Sequence, residues 1–258
     1  MIRRVLILNG SPRRTASSTM VVTRAFAEGI AEGCGEAEFE TVNVSDLRIT
    51  PCRGCLSCWG RTAGKCVIVG DDVPALIEKI RAADLLIVSF PLYFFGMPGE
   101  MKLLVDRLLP LMSTYRGQLP PKEGESYHGF RFPDPGKRLV LVSSCAYSDA
   151  AGVYDPLLSE LDCILGRERY TPILCPQLKT LVDMGDTAPF RRAMKKYRTA
   201  GRTFAERTLT KKEIAALAKP PFSEGIYRDF LATFWAKEEA KSSSHGESLS
   251  ENSWKIIT

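Results

Sequence analysis

The stretch "VLILNGSPRRTASST" (Val5–Thr19) changes character once, and that change decides the fold. Val5–Leu8 is an uninterrupted aliphatic run, which predicts a strand buried on both faces, as in a parallel sheet. Asn9-Gly10 ends the run and a hydroxyl-rich turn follows. Beyond Ser18 the apolar residues Val22, Phe26 and Ile30, with Ala25 beside them, return at helical spacing. A buried strand that passes through a short polar turn into an amphipathic helix is the opening unit of an α/β sheet.

The alternation continues outward from there. Phe39–Val44 alternates like a strand, and Asp71-Asp72 is placed to cap a helix with Val73, Leu76, Ile77 and Ile80 on its apolar face. Leu85–Val88 reads as a third strand, followed by a helix with Met101, Leu104, Val105 and Leu108 on one side. Leu139–Val142 is a fourth strand, Tyr154–Leu165 a helix and Tyr170–Leu174 a fifth strand. Phe190, Met194, Tyr197 and Phe204 mark the helix after it. The pattern predicts an open α/β fold with a parallel sheet and helices on both sides. Ligands of such sheets bind outside the carboxyl ends of the strands, so the loops after strands 1 to 4 are the ones to inspect.

The expected organisation is a main domain over residues 1–208, with a cysteine-rich loop at 50–67 and a long connection at 113–137. A helical extension follows at 209–240, where Ile226, Phe230 and Phe234 repeat every four residues as a packing stripe. The Ser-rich stretch 241–258 reads as a disordered tail. The net charge of +5 is spread along the chain, so no nucleic acid partner is expected. No stretch reaches the roughly twenty apolar residues of a membrane helix, and the N-terminal run is short for a signal peptide. The chain is therefore expected to be cytoplasmic, with no membrane partner and with reduced thiols.

The turn after strand 1 supplies Ser11, Thr15, Ser17, Ser18 and Thr19 as hydroxyl donors, with Arg13 and Arg14 beside them. The helix that starts near Ser18 adds unpaired N–H groups and the positive end of its dipole, a combination that suits a dianionic phosphate. Neither the P-loop pattern nor the dinucleotide pattern G-x-G-x-x-G occurs at this turn. The loop after strand 3, "SFPLYFFGMPGEMK" (Ser89–Lys102), carries Pro91, Tyr93, Phe94, Phe95 and Gly96, and its aromatics call for a flat apolar cover. After strand 4, "SSCAYSDA" (Ser143–Ala150) adds small hydroxyls and Tyr147. A phosphate grip, an aromatic loop and a small polar loop at one end of a sheet suit flavin mononucleotide, FMN.

Taken together, Gly10–Arg13 ("GSPR"), Ser18-Thr19, Pro91-Leu92-Tyr93 and Leu103–Arg107 ("LLVDR") resemble the flavodoxin-like NAD(P)H-dependent FMN reductases. The cysteine loop, with Val67 and Asp71-Asp72 behind it, resembles the iron–sulfur flavoprotein branch of that family. The resemblance covers about residues 3–180. It implies a flavodoxin-like three-layer sandwich with a five-stranded parallel sheet of order 2-1-3-4-5, here with a helical C-terminal extension. It also implies that Ser11, Arg13, Ser18 and Thr19 hold the phosphate. Pro91, Leu92, Tyr93 and Phe94 would border the ring, with Ser144 and Cys145 on its far side.

Cys52, Cys55, Cys58 and Cys66 form C-x2-C-x2-C-x7-C, four of the eight cysteines within one loop. Three thiolates at this spacing with a more distant fourth are how bacterial ferredoxins present ligands to an iron–sulfur cluster. A 4Fe-4S cluster is the favoured occupant, with free redox-active thiols or a structural zinc as alternatives. Cys34, Cys163 and Cys175 are expected to be small core residues. The expected function is an FMN-dependent oxidoreductase. Electrons would pass from NAD(P)H or a reduced ferredoxin, through FMN, to a small-molecule or protein acceptor, with no side chain required as acid or base. A non-enzymatic electron-transfer module and a thiol-based redox sensor are the alternatives. A homodimer or homotetramer is expected from the exposed aromatic loops.

Overall fold

Five parallel strands form one sheet in the order β2-β1-β3-β4-β5, as the resemblance implied. They are β1 (Arg4–Asn9), β2 (Glu38–Asn43), β3 (Leu85–Pro91), β4 (Arg138–Ser144) and β5 (Thr171–Cys175). The structure, a computed structural model, describes residues 2–114 and 124–244. The helices are α1 (Ser18–Cys34), α2 (Val73–Ala82), α3 (Gly99–Asp106), α4 (Asp155–Leu165), α5 (Leu178–Asp183), α6 (Ala188–Glu206), α7 (Lys211–Leu217) and α8 (Glu224–Ser244).

The aliphatic runs are legible as strands because both faces of the sheet are covered. Leu6, Leu8, Leu86, Phe90 and Leu141 share one core with Val73, Leu76, Ile77 and Ile80 of α2, Met101 and Leu104 of α3, and Leu157 of α4. The alternate residues Val5, Ile7, Leu85, Ile87, Val140 and Val142 are equally buried. Period two sends them to the other face, where α1 packs against the sheet and along α6. Each parallel crossover thus carries its helix to one face of the sheet or the other.

The α1–α6 contact depends on missing side chains. A Cβ on Gly29 would lie 1.9 Å from the Arg198 carbonyl oxygen, and one on Gly201 would lie 2.0 Å from that of Phe26. The backbones of the two helices therefore touch. Glu32 of α1 pairs with Arg198 and Arg202 of α6 along the exposed side of the same contact. Phe26 and Phe204 meet beneath it with ring centroids 5.5 Å apart.

Some expectations need correction. A short helix, α5, intervenes between β5 and α6, begun by Gln177 in the left-handed region at φ 56°. Cys175 is buried as expected, but Cys34 is only half-buried and Cys163 is exposed. Asp72 at the N-terminus of α2 makes no side-chain cap. Its carboxylate accepts from Arg48 N at 2.7 Å instead, and it is Asp71 that receives Val73 N at 3.3 Å.

The chain divides into two compact units, Met1–Pro221 and Phe222–Thr258. The first includes α7, entered through a capping box between Thr210 and Glu213. In the second, α8 runs to Ser244, into the stretch expected to be a disordered tail. The remainder of that stretch, 245–258, and residues 115–123 of the long connection lie outside the described residues. Ile226, Phe230, Phe234 and Trp235 of α8 are exposed. No helix among the described residues is long and apolar enough to cross a membrane.

Replacing Gly201 by Ala is expected to destabilise the protein by about 1–3 kcal/mol or more, because two helix backbones must separate. The denaturant midpoint reads this. Gly99→Ala, where nothing lies within 4 Å of the added Cβ, is the neutral control.

Candidate cofactor site and cysteine loop

The turn after β1 is knitted from its own hydroxyls. Ser11 N donates to Asn9 Oδ1 at 3.1 Å, and Ser11 Oγ accepts from Arg13 N at 3.3 Å. Thr19 Oγ1 lies 2.6 Å from Ser144 Oγ in the buried floor of the turn, so these two hydroxyls tie the first loop to the fourth. Thr23 continues the same polar seam, donating to Thr19 O and meeting Ser89 Oγ at 2.8 Å. Gly10 sits close under its neighbours: a Cβ there would come 3.2 Å from Met101 Cβ and 3.3 Å from Phe90 Cβ, and the flexible Met101 Cε would have to swing aside. Arg14 is held by Asp46 at 2.5 Å.

What the turn leaves free is therefore narrower than its hydroxyl count. Ser17, the N-cap of α1, makes no side-chain cap, and the N–H groups of Ser18 and Thr19 open the helix without an acceptor among the described residues. Arg13 is exposed, and among the described residues it has no carboxylate partner. An uncapped helix end, beside a guanidinium with no carboxylate partner among the described residues, suits an anion by charge and by donor count.

At the end of β3 the chain makes a tight reversal. Tyr93 N donates to Gly96 O and Gly96 N donates to Tyr93 O, both at 3.0 Å. The two central residues, Phe94 and Phe95, have φ 49° and 66°, which is the backbone of a type I′ turn. Asn and Gly favour that turn; consecutive phenylalanines do not, and left-handed non-glycine residues cost of order 1–3 kcal/mol each. The turn holds Phe94 out, 99% exposed. Phe95 stacks on Tyr147 of the loop after β4, with centroids 5.6 Å apart and planes 27° from parallel. Leu92 N donates to Ser144 O at 2.7 Å, which joins the two loops below the rings. Leu92, Ser144 and Cys145 are buried and Pro91 and Gly96 are half-buried, so they form the base of this corner and the aromatics its rim. Burial pushes the Cys145 thiol pKa up.

The residues at this corner fit FMN: donors suited to an anion, a buried base and a rim of aromatic faces at the carboxyl ends of β1, β3 and β4. A large apolar cavity of about 1070 Å³ lies elsewhere, against Met101, Leu108, Phe130, Phe132 and Leu161, and reaches the cysteine loop at Cys52.

The cysteine loop leaves β2 at the same carboxyl end of the sheet, tied to β1 by Asn9 Nδ2 donating to Asn43 Oδ1 at 3.0 Å. It contains no strand or α-helix and is organised by turns: Gly64 N donates to Cys58 O at 2.8 Å and Thr62 N to Ser57 O at 2.9 Å. Leu56 takes φ 53° to make the reversal between Cys55 and Cys58. Trp59 anchors the loop, with Nε1 donating to Leu109 O at 3.1 Å. All four thiols are free; Cys58 is buried, Cys55 exposed, and Cys52 and Cys66 intermediate.

Burial raises the Cys58 pKa, and the neighbouring Cys66, Cys52 and Cys55 raise it further, so one thiol sits within electrostatic reach of the other three. The donor set suits an iron–sulfur cluster in number and chemistry. Among the described residues, however, no three His, Cys, Asp or Glu side chains are drawn close enough to share one ion.

The base of this loop is closed by a buried ion pair that sequence reasoning placed only in a motif and in a cap. Arg107 and Asp71 have fully buried side chains, and Arg107 Nη1 lies 2.6 Å from Asp71 Oδ2. The same guanidinium donates to Thr50 O at 2.5 Å and Ile68 O at 3.1 Å, and Asp71 Oδ2 accepts Thr50 N at 2.9 Å. Burial alone would raise the Asp71 pKa, yet Arg107 and the Thr50 and Val73 N–H groups win and hold it below the ordinary carboxylate range. The available signal was an arginine inside the apolar run "LLVDRLLPLM".

Residues 3–119 match the family model described as NADPH-dependent FMN reductase. An iron-sulfur flavoprotein of Methanocaldococcus jannaschii is 38% identical over 108 residues, covering 42% of this chain and 53% of that protein. Another, from Methanosarcina thermophila, is 35% identical over 100 residues, covering 39% and 49%. The chain thus spans about half the length of the curated relatives it matches. The NAD(P)H:quinone oxidoreductase from Methanothermobacter marburgensis superimposes with a TM-score of 0.58 at 20% identity, over 79% of this chain and 100% of that one, which shows a shared fold. The resemblance to the FMN reductases, and among them to the iron–sulfur flavoproteins, is thereby shown over the first part of the chain.

Two outcomes follow from this geometry. The double substitution Phe94→Asn, Phe95→Gly gives the turn its preferred residues and is expected to raise stability by roughly 1–3 kcal/mol in thermal unfolding. In metal-free protein, the Ser57 N–H and hydroxyl lower the Cys55 pKa to about 7. Its alkylation rate should therefore rise through about pH 7, ahead of the buried Cys58, as mass mapping of the labelled peptides would show.

Proposed function

We propose that this protein is an FMN-dependent oxidoreductase that takes electrons from NAD(P)H or a reduced ferredoxin and delivers them to a small-molecule or protein acceptor. The observation that carries this reading is the meeting of an uncapped helix end, an Arg13 with no carboxylate partner among the described residues and a strained aromatic turn at the carboxyl ends of the strands. The family match over residues 3–119 supports the cofactor and the nicotinamide donor.

In this reading the N–H groups of Ser18 and Thr19, with Arg13, hold the phosphate. Ser11 and Ser17 shape the turn, and Thr19 and Ser144 lock it to the fourth loop. Leu92, Pro91 and Gly96 form the base under the ring, with Ser144 and Cys145 on its far side. Tyr93, Phe94, Phe95 and Tyr147 border the ring and exclude water from it. When bound, FMN supplies the hydride and single-electron chemistry, and the protein supplies grip, orientation and electrostatics. Cys52, Cys55, Cys58 and Cys66 would hold a 4Fe-4S cluster at the adjoining loop; the relatives' names, iron-sulfur flavoprotein, support an iron–sulfur group without giving its type. The thiols would have to turn toward a common centre to do so.

An anaerobic absorption spectrum, with iron and acid-labile sulfide assayed on the same sample, is the test. Flavin bands over a broad iron–sulfur background are the expected result. Flavin without iron would leave an FMN reductase whose cysteines hold zinc or act as thiols. No flavin after soaking with FMN would overturn the reading. Arg13→Ala should weaken FMN binding roughly 10- to 100-fold, the range for losing one hydrogen bond to a charged group, measured by flavin fluorescence quenching. Nicotinamide oxidation with a quinone acceptor separates the enzyme from a carrier that exchanges only with other electron-transfer proteins.

A further inference from the structure

We infer that the apolar cavity beneath residues 127–134 is a second ligand site, separate from the cofactor corner, and that it takes a neutral aromatic molecule. The fold itself opens this space. The helix α3 in the crossover from β3 to β4 has eight residues and spans about 12 Å, whereas each of those strands has seven and runs about 23 Å. The helix is too short to cover the strands it connects, and residues 108–112 and 127–134 wall the rest. Val88 records the result. It lies on the central strand, between β1 and β4, yet it is only half-buried, while Ile87 on the opposite face is fully buried. Val88, Leu86 and Leu141 line a space of about 1070 Å³. Packed interiors leave few voids larger than a water molecule, and apolar cavities stay dry, so a space of this size is that of a ligand pocket.

The lining states what kind of molecule fits. Its charged side chains are engaged with their own neighbours. Lys137 Nζ donates to Ile80 O at 2.8 Å and Arg81 O at 3.1 Å, and Arg131 Nε donates to Pro110 O at 3.2 Å. Asp106 pairs with Lys102 at 2.6 Å, and Asp134 accepts Gly136 N at 3.0 Å. Arg81 pairs with Glu78 at 3.0 Å and lies 4.1 Å from the centroid of the Phe132 ring. These groups carry both signs and none is set aside for an ion, so burying a charged ligand here would be costly. The remaining surface favours a ring. Tyr127, Phe130 and Phe132 are exposed on the lining and present aromatic faces. Met97, Met101 and Met112 add polarizable side chains that adapt to an aromatic guest. The wall is fixed in place, because Met112 and Phe130 form a β-bridge and Arg131 N donates to Leu111 O at 2.8 Å.

Two dyes with one ring skeleton test this on the whole chain: neutral phenylnaphthylamine and its sulfonated counterpart, anilinonaphthalenesulfonate. By fluorescence titration the neutral dye should bind at one molecule per chain, and the sulfonate about 10-fold or more weakly. Saturating FMN should change neither. Leu108→Trp and Leu161→Trp, which put a ring into the cavity, should each weaken the neutral dye about 10-fold while FMN content and the thermal midpoint are held. Cys163 is an exposed thiol on the lining, so the neutral dye should slow its alkylation by N-ethylmaleimide. Cys34, off the lining, should react as before. Equal binding of the two dyes would overturn the neutral ligand, and displacement by FMN would overturn a separate site. Folded Trp variants that bind as wild type does would overturn the cavity as the place of binding. If neither Trp variant folds, Cys163 decides, and alkylation unchanged by the dye overturns the site. Absence of binding, with Cys163 resistant to alkylation, would also overturn it, in favour of a second copy of the chain covering this face.

Discussion

A guanidinium and a carboxylate taken wholly out of water stand at the root of this structure. Such a pair costs several kcal/mol of desolvation per ion, and it persists only when the remaining donors and acceptors are met. Here they are met by the backbone of the segment that most needs fixing. Thr50 and Ile68 have no strand or helix to hold them, and the Arg107–Asp71 pair gives both a partner. The loop between them can then stay irregular, as a loop presenting four thiols must, while its ends remain as well defined as the sheet. The arginine comes from the turn that ends α3, so the thiol loop is registered against the helix that follows the aromatic turn.

A second polar device works at the neighbouring loops. Ser89, Thr23, Thr19 and Ser144 run as a buried polar seam from β3 through α1 to the end of β4, with Thr23 joined to Thr19 through the Thr19 carbonyl. In a low-dielectric interior such a chain fixes geometry sharply, because each member left unmatched would be expensive. It takes the Thr19 hydroxyl out of a ligand's reach, as Arg13 N occupies that of Ser11. These two hydroxyls are employed in holding the turn still.

The sheet was legible because β1, β3 and β4 are buried on both faces and their aliphatic runs have little other use. The helices α1, α2, α4 and α6 were legible by their spacing. The order of the strands was not; it came from the resemblance, since periodicity says nothing about neighbours. α5 was missed because its six residues are too short to show a period. Nothing in the sequence singles out Gly29 and Gly201, and only the backbone contact between α1 and α6 shows what their bareness permits. The aromatic loop was recognised by composition, but no rule of turn chemistry would place Phe94 and Phe95 in the left-handed region. Arg107 was readable only as part of a motif, because a lone charge in an apolar run carries no sign of the carboxylate it will meet.

The two margins of the sheet carry a consequence for how this chain meets others. Along β2 the sequence EFETVN puts Glu38 and Glu40 on an exposed strand, with Glu40 paired to Lys79. At the opposite margin β5 contains Pro172, which has no N–H to offer, and α7 packs against the strand. Charge on one border and proline with a covering helix on the other are the usual safeguards against a sheet growing by edge-to-edge pairing. Self-templated fibrils and strand-swapped assemblies are thereby disfavoured at both borders, and association is steered to helix faces and loop tips, where it can be reversible and selective.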